Sequence, residues 1–378
     1  MKILLIKTYP SPIPQKNLSY NVQEFGIASA LGHKGIECDL LCVTDTKKDY
    51  DKHLSVDGQN IIIYYRHAYS ILKNAWFRNV KNLINTYDVL ITGEYNQMFS
   101  WYLAGKYPQK TIIWHGTYYS EFNKNYNRMA AIFDLLFAKR YKKQETVFMT
   151  KSSLATNYLS TKGFKNIHTI GVGICPSLLI NSSEKIPKEL NDLTSYTGLK
   201  LLYIGVLEER RNILFLIDIL IELHRRNIEF RQVIIGRYSS DSYRSMVQDK
   251  INMYGLSDKI IYIEKMEQRM LSSIYKICDI FLFPTRYDIF GMVLLEAMYF
   301  GLPVITTLNG GSAMLIRDDN NGFIVESSDV NAWVNKIVEL STNNDKCKMV
   351  GQNANTTIAD SYTWDVLVEK MIKCFNIL

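Results

Sequence analysis

The sequence predicts an α/β protein made of two Rossmann-like, doubly wound domains facing each other across a cleft. Three observations predict it. Short apolar runs alternate with helix-period segments, the pattern of a parallel sheet covered by helices. The alternation runs twice, and a stretch rich in Asn, Ser, Glu and Lys, 181–198, separates the two series without a period of its own. At 378 residues the chain has room for two domains, each with its own core. Open α/β sheets bind ligands beyond the carboxyl ends of their strands, so two facing sheets would present two substrates to each other.

The first series of buried-strand runs is 2–6, 38–43, 61–65, 88–92, 111–114, 146–149 and 167–170. The second is 201–205, 231–235, 260–263, 280–283, 303–306 and 322–325. Each is four to six residues, mostly apolar and β-branched or aromatic, which suits strands buried on both faces. The expected division is therefore a first domain at 1–180, a linker at 181–198 and a second domain at 199–360. Residues 361–378 end the chain with Tyr362-Thr363-Trp364 and an amphipathic segment at 366–375.

Composition narrows the class. A hydrophobic content of 47% and a charged content of 21% are those of a globular protein in water. No run approaches the roughly 18 to 20 apolar residues that span a bilayer. The apolar start stops at Lys7, too soon for a signal peptide. Six cysteines (38, 42, 175, 278, 347 and 374) form no CxxC pair, so reduced thiols in the cytoplasm are expected. No His/Cys cluster has zinc-like spacing. Residues 1–180 carry 22 Lys and Arg against 12 Asp and Glu, and the rest 22 against 25. That asymmetry points to different partners for the two halves. No nucleic-acid motif accompanies it, so an anionic membrane surface or a lipid-pyrophosphate acceptor fits the basic half better.

The densest chemistry lies at 283–325, FPTRYDIFGMVLLEAMYFGLPVITTLNGGSAMLIRDDNNGFIV. Asp288 and Glu296 are seven residues apart, and between them Phe290-Gly291-Met292-Val293 marks the passage from strand to helix. A glycine there lets an anion approach the free amides of the helix start. Glu296 falls about one and a half turns further on, facing the same ligand. Amides for phosphate and a carboxylate for ribose hydroxyls suit a nucleoside diphosphate.

This stretch resembles the nucleotide-sugar signature of the family-4 retaining glycosyltransferases: Glu, seven residues, Glu. The likeness continues through Gly301-Leu302-Pro303-Val304-Ile305, Gly310-Gly311 and Asn321-Gly322. The competing reading is an ordinary αβ unit with glycine turns. The resemblance implies the GT-B architecture, a donor nucleotide in the second domain and an acceptor in the first. It also implies that the last helix crosses back to the first domain; the sequence alone equally allows a terminal helix of the second. Asp288 is one methylene shorter than the family's glutamate, at a position beside the donor sugar.

Further positions follow the same resemblance. Gly205, then Arg210 and Arg211 at a helix start, reads as a phosphate clamp. The family pattern is Gly-Arg, four residues, Lys; here Val206 takes the Arg position and Arg211 the Lys position. Arg210 could substitute for the missing cation, but points about 100° away from Arg211. Gly236 ends a strand where the family has a turn near the base, and a simple turn reads equally well. Lys265 lies where the family often contacts the base, though surface exposure is the plainer reading. His115-Gly116 follows a buried strand, where the family has a His-Gly pair at the donor sugar; a structural histidine is the alternative. Gly171-Val172-Gly173-Ile174 resembles the family's turn near the hinge. The family's Gly-Gly pair after the first strand is missing from 8–21, TYPSPIPQKNLSYN, where Lys16 or Ser19 could reach phosphate.

Two stretches interleave aromatics and cations: 76–81, WFRNVK, and 133–143, FDLLFAKRYKK. Either could lie in a headgroup layer or be a core-facing helix with a solvated basic face.

The expected function is a retaining, metal-independent hexosyltransferase-type enzyme using a nucleoside-diphosphate sugar, UDP-sugar favoured, with a glycan or glycolipid acceptor. No metal or other cofactor is expected, nor any nucleic-acid partner. Such a protein would work in the cytoplasm, at the inner face of the cell membrane if its acceptor is lipid-linked. The catalytic candidates are His115, Asp288 and Arg211. The nucleotide-sugar candidates are Gly205, Arg211, Gly236, Asp288, Phe290, Gly291, Met292, Val293 and Glu296. A nucleotide-sugar epimerase of the same architecture and a non-catalytic sugar-nucleotide-binding subunit are the alternatives; the glycine-free loop and Val206 favour the second of these.

Overall fold

A computed structural model describes residues 1–9, 23–46, 48–71, 74–179, 190–326 and 328–378. The chain divides into two compact units, Met1–Ser177 with Tyr362–Leu378, and Leu178–Ser361.

The first unit contains β1 (Lys2–Ile6), α1 (Gln23–His33), β2 (Glu37–Val43), β3 (Tyr50–Val56), β4 (Gln59–Arg66), β5 (Ala68–Ile71) and β6 (Asn74–Phe77). It continues with α2 (Lys81–Asn85), β7 (Val89–Gly93), α3 (Met98–Lys106), β8 (Thr111–His115), α4 (Lys124–Lys143), β9 (Val147–Thr150), α5 (Ser153–Thr161) and β10 (Ile167–Thr169). Its eight-stranded sheet runs β10-β9-β8-β7-β1-β2-β4-β3. All pairings are parallel except β3 with β4. The central strands are buried on both faces, as their unbroken apolar runs require.

Two elements depart from the sequence reading. The strand β3, YDKHLSV, alternates exposed and half-buried residues at the sheet edge. The stretch 76–81 is no membrane-facing helix: Trp76 and Phe77 end the β5–β6 hairpin. Phe77 is buried, and Trp76 packs on Phe99 and Tyr102 at 5.7 and 5.3 Å between ring centroids. These aromatics serve the core of the first unit.

Past α6 (Pro176–Leu179), the stretch expected as a linker includes the short helix α7 (Asn191–Ser195). The second unit then builds β11 (Leu199–Ile204), α8 (Ile213–Arg225), β12 (Phe230–Ile235), α9 (Asp241–Met253), β13 (Ile260–Ile263), α10 (Gln268–Ile277) and β14 (Ile280–Phe283). It closes with α11 (Met292–Tyr299), β15 (Val304–Thr306), α12 (Ser312–Leu315), β16 (Phe323–Ile324), α13 (Val330–Thr342) and α14 (Asn344–Ser361). The sheet order is β13-β12-β11-β14-β15-β16, parallel throughout. Among the described residues, no helix is long and apolar enough to cross a membrane.

The chain ends in α15 (Trp364–Phe375), which belongs to the first unit. A parallel bridge leads into it, with Ile174 N donating to the Tyr362 carbonyl and Trp364 N to the Ile174 carbonyl, both at 3.0 Å. Trp364 fills the space over Gly26 of α1, where a methyl group would lie 2.1 Å from the indole. Asp365 meets His33 at 3.0 Å and Glu369 meets Lys34 at 2.7 Å along the rim of the same contact. These exposed pairs add little; the buried indole carries the attachment. Trp364→Ala is expected to cost about 3–5 kcal/mol, seen as a lower denaturation midpoint and lost hydrogen-exchange protection in α1.

Candidate functional site

In the second unit β11 lies between β12 and β14, so the chain winds away from it in both directions. The loops after β11 and β14 part at such a switch point, where open α/β sheets bind ligands. The first loop carries Gly205 to Asn212, the second Pro284 to Gly291. Hydrogen bonds tie them: Arg286 N donates to the Arg210 carbonyl at 2.9 Å, and the Thr285 hydroxyl to the same carbonyl at 3.3 Å.

Arg211 and Asp288 form an ion pair across these loops. Both side chains are largely buried, and the guanidinium lies 5.3 Å over the Phe283 ring. Burial works against the Arg211 charge, but Asp288, Tyr203 and Glu208 outweigh it and raise its pKa above the ordinary value. Arg210 is engaged elsewhere, by Glu208 at 2.6 Å and the Tyr287 carbonyl at 2.9 Å. Val206, at the position of the missing cation, is exposed.

Gly291 caps α11 with φ +79°, and a side chain there would press on Phe283 and Asp288. The amides of Met292 and Val293 open the helix beside the ion pair, and a helix start of this kind favours an anion. Phe290 is buried, leaving its backbone to the site. The pair Gly310-Gly311 closes in from behind, because any Cβ would strike the carbonyls of Ile289 and Phe290 at 1.9 and 1.7 Å. Glu296 is buried further along α11, and Tyr275 of α10 donates to its Oε2 at 2.8 Å. Burial pushes the Glu296 carboxyl well above the ordinary carboxylate range. Gly236 packs against Gly205, whose carbonyl lies 1.8 Å from where a Cβ would stand. Lys265 is exposed. Lys16 and Ser19 lie outside the described residues.

The first unit has its own switch point, between β1 and β7. A cavity of about 280 Å³ opens there, lined in part by Lys7, Thr8, Gly93, Glu94, Trp114 and Lys151. His115 sits behind it, fully buried against the rings of Tyr95 and Tyr158, with centroids at 5.1 and 6.1 Å. Its Nδ1 is 2.6 Å from Oε2 of Glu94. Glu94 also accepts from Gly116 N at 3.2 Å and Thr117 Oγ1 at 3.1 Å. Burial opposes the Glu94 charge, but His115, Lys151 and these hydrogen bonds hold its carboxyl at about 2.

Sequence reasoning passed over Glu94, Lys151 and Tyr275. The signal for Glu94 was its place just past the strand whose Gly93 pairs with Trp114, which sets it beside His115. Glu94 further adopts φ +49°, a left-handed conformation uncommon for a non-glycine residue. Glu94→Gln is expected to cost about 3–5 kcal/mol by leaving a buried partner uncompensated. Because the folded pKa lies below the ordinary 4.5, the Glu94 contribution is complete above about 4.5 and fades as pH falls toward about 2. Denaturation midpoints against pH should show that decline in the wild type and a flatter profile in Glu94→Gln.

Residues 186–357 match the family model of glycosyl transferases group 1. An uncharacterized glycosyltransferase of Methanocaldococcus jannaschii is 26% identical over 179 residues, 47% of this chain and 44% of that protein. Mannosylfructose-phosphate synthase of Agrobacterium fabrum is 27% identical over 152 residues, 39% of this chain and 34% of that protein. The chain thus spans less than half the length of these curated relatives. Among solved structures, Anabaena HepE in complex with UDP superposes with a TM-score of 0.75 at 15% identity, over the whole of both chains. Sucrose-phosphate synthase from Thermosynechococcus elongatus gives 0.73 at 15% identity, covering 100% of this chain and 98% of that one. The chain has the GT-B fold of two Rossmann-like units, and the region that matches the group 1 glycosyl transferases holds Arg211, Asp288 and Glu296.

Proposed function

We propose that this protein is a retaining glycosyltransferase that moves a sugar from a UDP-sugar to a hydroxyl of a glycan or glycolipid acceptor. The observation that carries this reading is the group at the head of α11: a buried cation, the backbone of the helix start and a buried carboxyl, all beside one switch point. The diphosphate would lie against Arg211 and the amides of Met292 and Val293, with Glu296 on the ribose and Asp288 at the donor sugar. Gly205, Gly236 and the backbone of Phe290 and Gly291 would shape the nucleotide pocket. The group 1 match supports sugar transfer, and the UDP held by HepE supports uracil as the base.

Arg211 offers fixed positive charge where negative charge develops on the leaving diphosphate. Transfer would then proceed without a metal ion, the departing phosphate oxygen taking the proton of the acceptor hydroxyl as the glycosidic bond forms. Asp288 holds the guanidinium in place until the diphosphate shares it. His115 would assist from the first unit, its ring fixed by Glu94. The basic first 180 residues favour an acceptor on an anionic surface, at the cytoplasmic face of a membrane.

Calorimetric titration with UDP, GDP, ADP and CMP tests the donor assignment. UDP is expected to bind best, and Glu296→Ala to weaken it about 10- to 100-fold through loss of hydrogen bonds to a charged group. Because burial raises the Glu296 pKa above 4.5, UDP affinity should rise with pH as its proton leaves, and Glu296→Gln should abolish that rise. Arg211→Ala should lower transfer about 100- to 1,000-fold. No nucleotide binding, or equal affinity in Glu296→Ala, would contradict the reading.

A further inference from the structure

The helix α4 buries Ala130, Phe133, Ala138 and Tyr141 in the first unit. Its opposite face leaves Met129 46% exposed, Ile132 46%, Leu135 86% and Leu136 62%. Single exposed apolar side chains are ordinary, but four on adjacent turns form a contiguous patch. At about 100° per residue the four share an arc of roughly 120°. Arg128, Lys139 and Lys143 fall within that arc, and Lys124 and Lys142 at its border; all five are exposed. The one acid of the helix, Asp134, is half-buried on the other side and bound by Lys162. Glu121 and Glu145, the nearest exposed acids in sequence, lie outside the helix.

We propose that this face of α4 docks on an anionic lipid bilayer, lying in the plane of the headgroups. The apolar side chains of the two middle turns would enter the acyl boundary, while the cations of both ends meet lipid phosphates. Charge complementarity selects this occupant. A second copy of the chain would set five cations against five with no acid on the face to offset them, whereas an anionic surface satisfies all five. The docking rests on α4 alone and stands whether or not the donor is a UDP-sugar.

Flotation of the full chain with phosphatidylcholine vesicles, with and without about 30% phosphatidylglycerol, tests it. The wild type should bind the anionic vesicles only, and less at high salt. Lys139→Gln/Lys142→Gln/Lys143→Gln should lower partitioning about 100-fold, at roughly fivefold per charge. Leu135→Gln/Leu136→Gln should lower it at least about tenfold. These side chains lie on the outer face, so circular dichroism and UDP titration should match the wild type in both variants. Equal partitioning of the variants, or binding without preference for anionic lipid, would overturn the proposal. So would a doubled mass by light scattering that Leu135→Gln/Leu136→Gln abolishes, since the face would then be a contact between copies.

Discussion

The ion pair between Arg211 and Asp288 is the constraint on which the second unit's site depends. It joins the loop after β11 to the loop after β14, and these loops part only because the sheet changes winding direction between them. A largely buried guanidinium needs a carboxylate to be held there at all, since burial alone opposes its charge. The carboxylate in turn sits where Gly291 must adopt φ +79°, so the pair, the glycine and the start of α11 form one arrangement. Gly310 and Gly311 belong to it as well, by letting backbone meet backbone behind Asp288. Change any of these and the amides of α11 no longer open beside a cation.

The first unit repeats the logic with different residues. Its switch point also holds a buried carboxylate beside a ring nitrogen, here Glu94 and His115. Glu94 gathers an imidazole, an amide and a hydroxyl, and its left-handed backbone is held by that surrounding set. Trp114 is among the residues lining the cavity, and its ring meets Trp364 at 6.0 Å between centroids. The end of the chain therefore supports the wall of a cavity formed by its beginning.

Much of this was legible in the sequence. Strands buried on both faces announce themselves as unbroken apolar runs, and β1 and β14 fall on the predicted bounds, as does the half-buried edge strand β13. The edge strand β3 and the β5–β6 hairpin did not, because an edge strand alternates with charge and Trp76 looks the same beside a core or a membrane. In the site, the spacing of Asp288, Gly291 and Glu296 on a strand-to-helix passage put these three candidate residues on one helix start, where the structure has them. Spacing does not reveal pairing. Nothing local says that Arg211 reaches Asp288, 77 residues away, or that Tyr275 donates to Glu296. The burial of His115 was hidden for the same reason, since Tyr95 and Tyr158 cover it from separate elements. Glu94 escaped notice because a lone carboxylate has no spacing to read.

The most direct measurement is hydrogen exchange of the full chain with UDP and, separately, with uridine. If the head of α11 holds the diphosphate, UDP should protect the amides of Gly291, Met292 and Val293, and uridine should leave them exchanging as in the free protein. Protection of the same amides by uridine, or none by saturating UDP, would contradict the account.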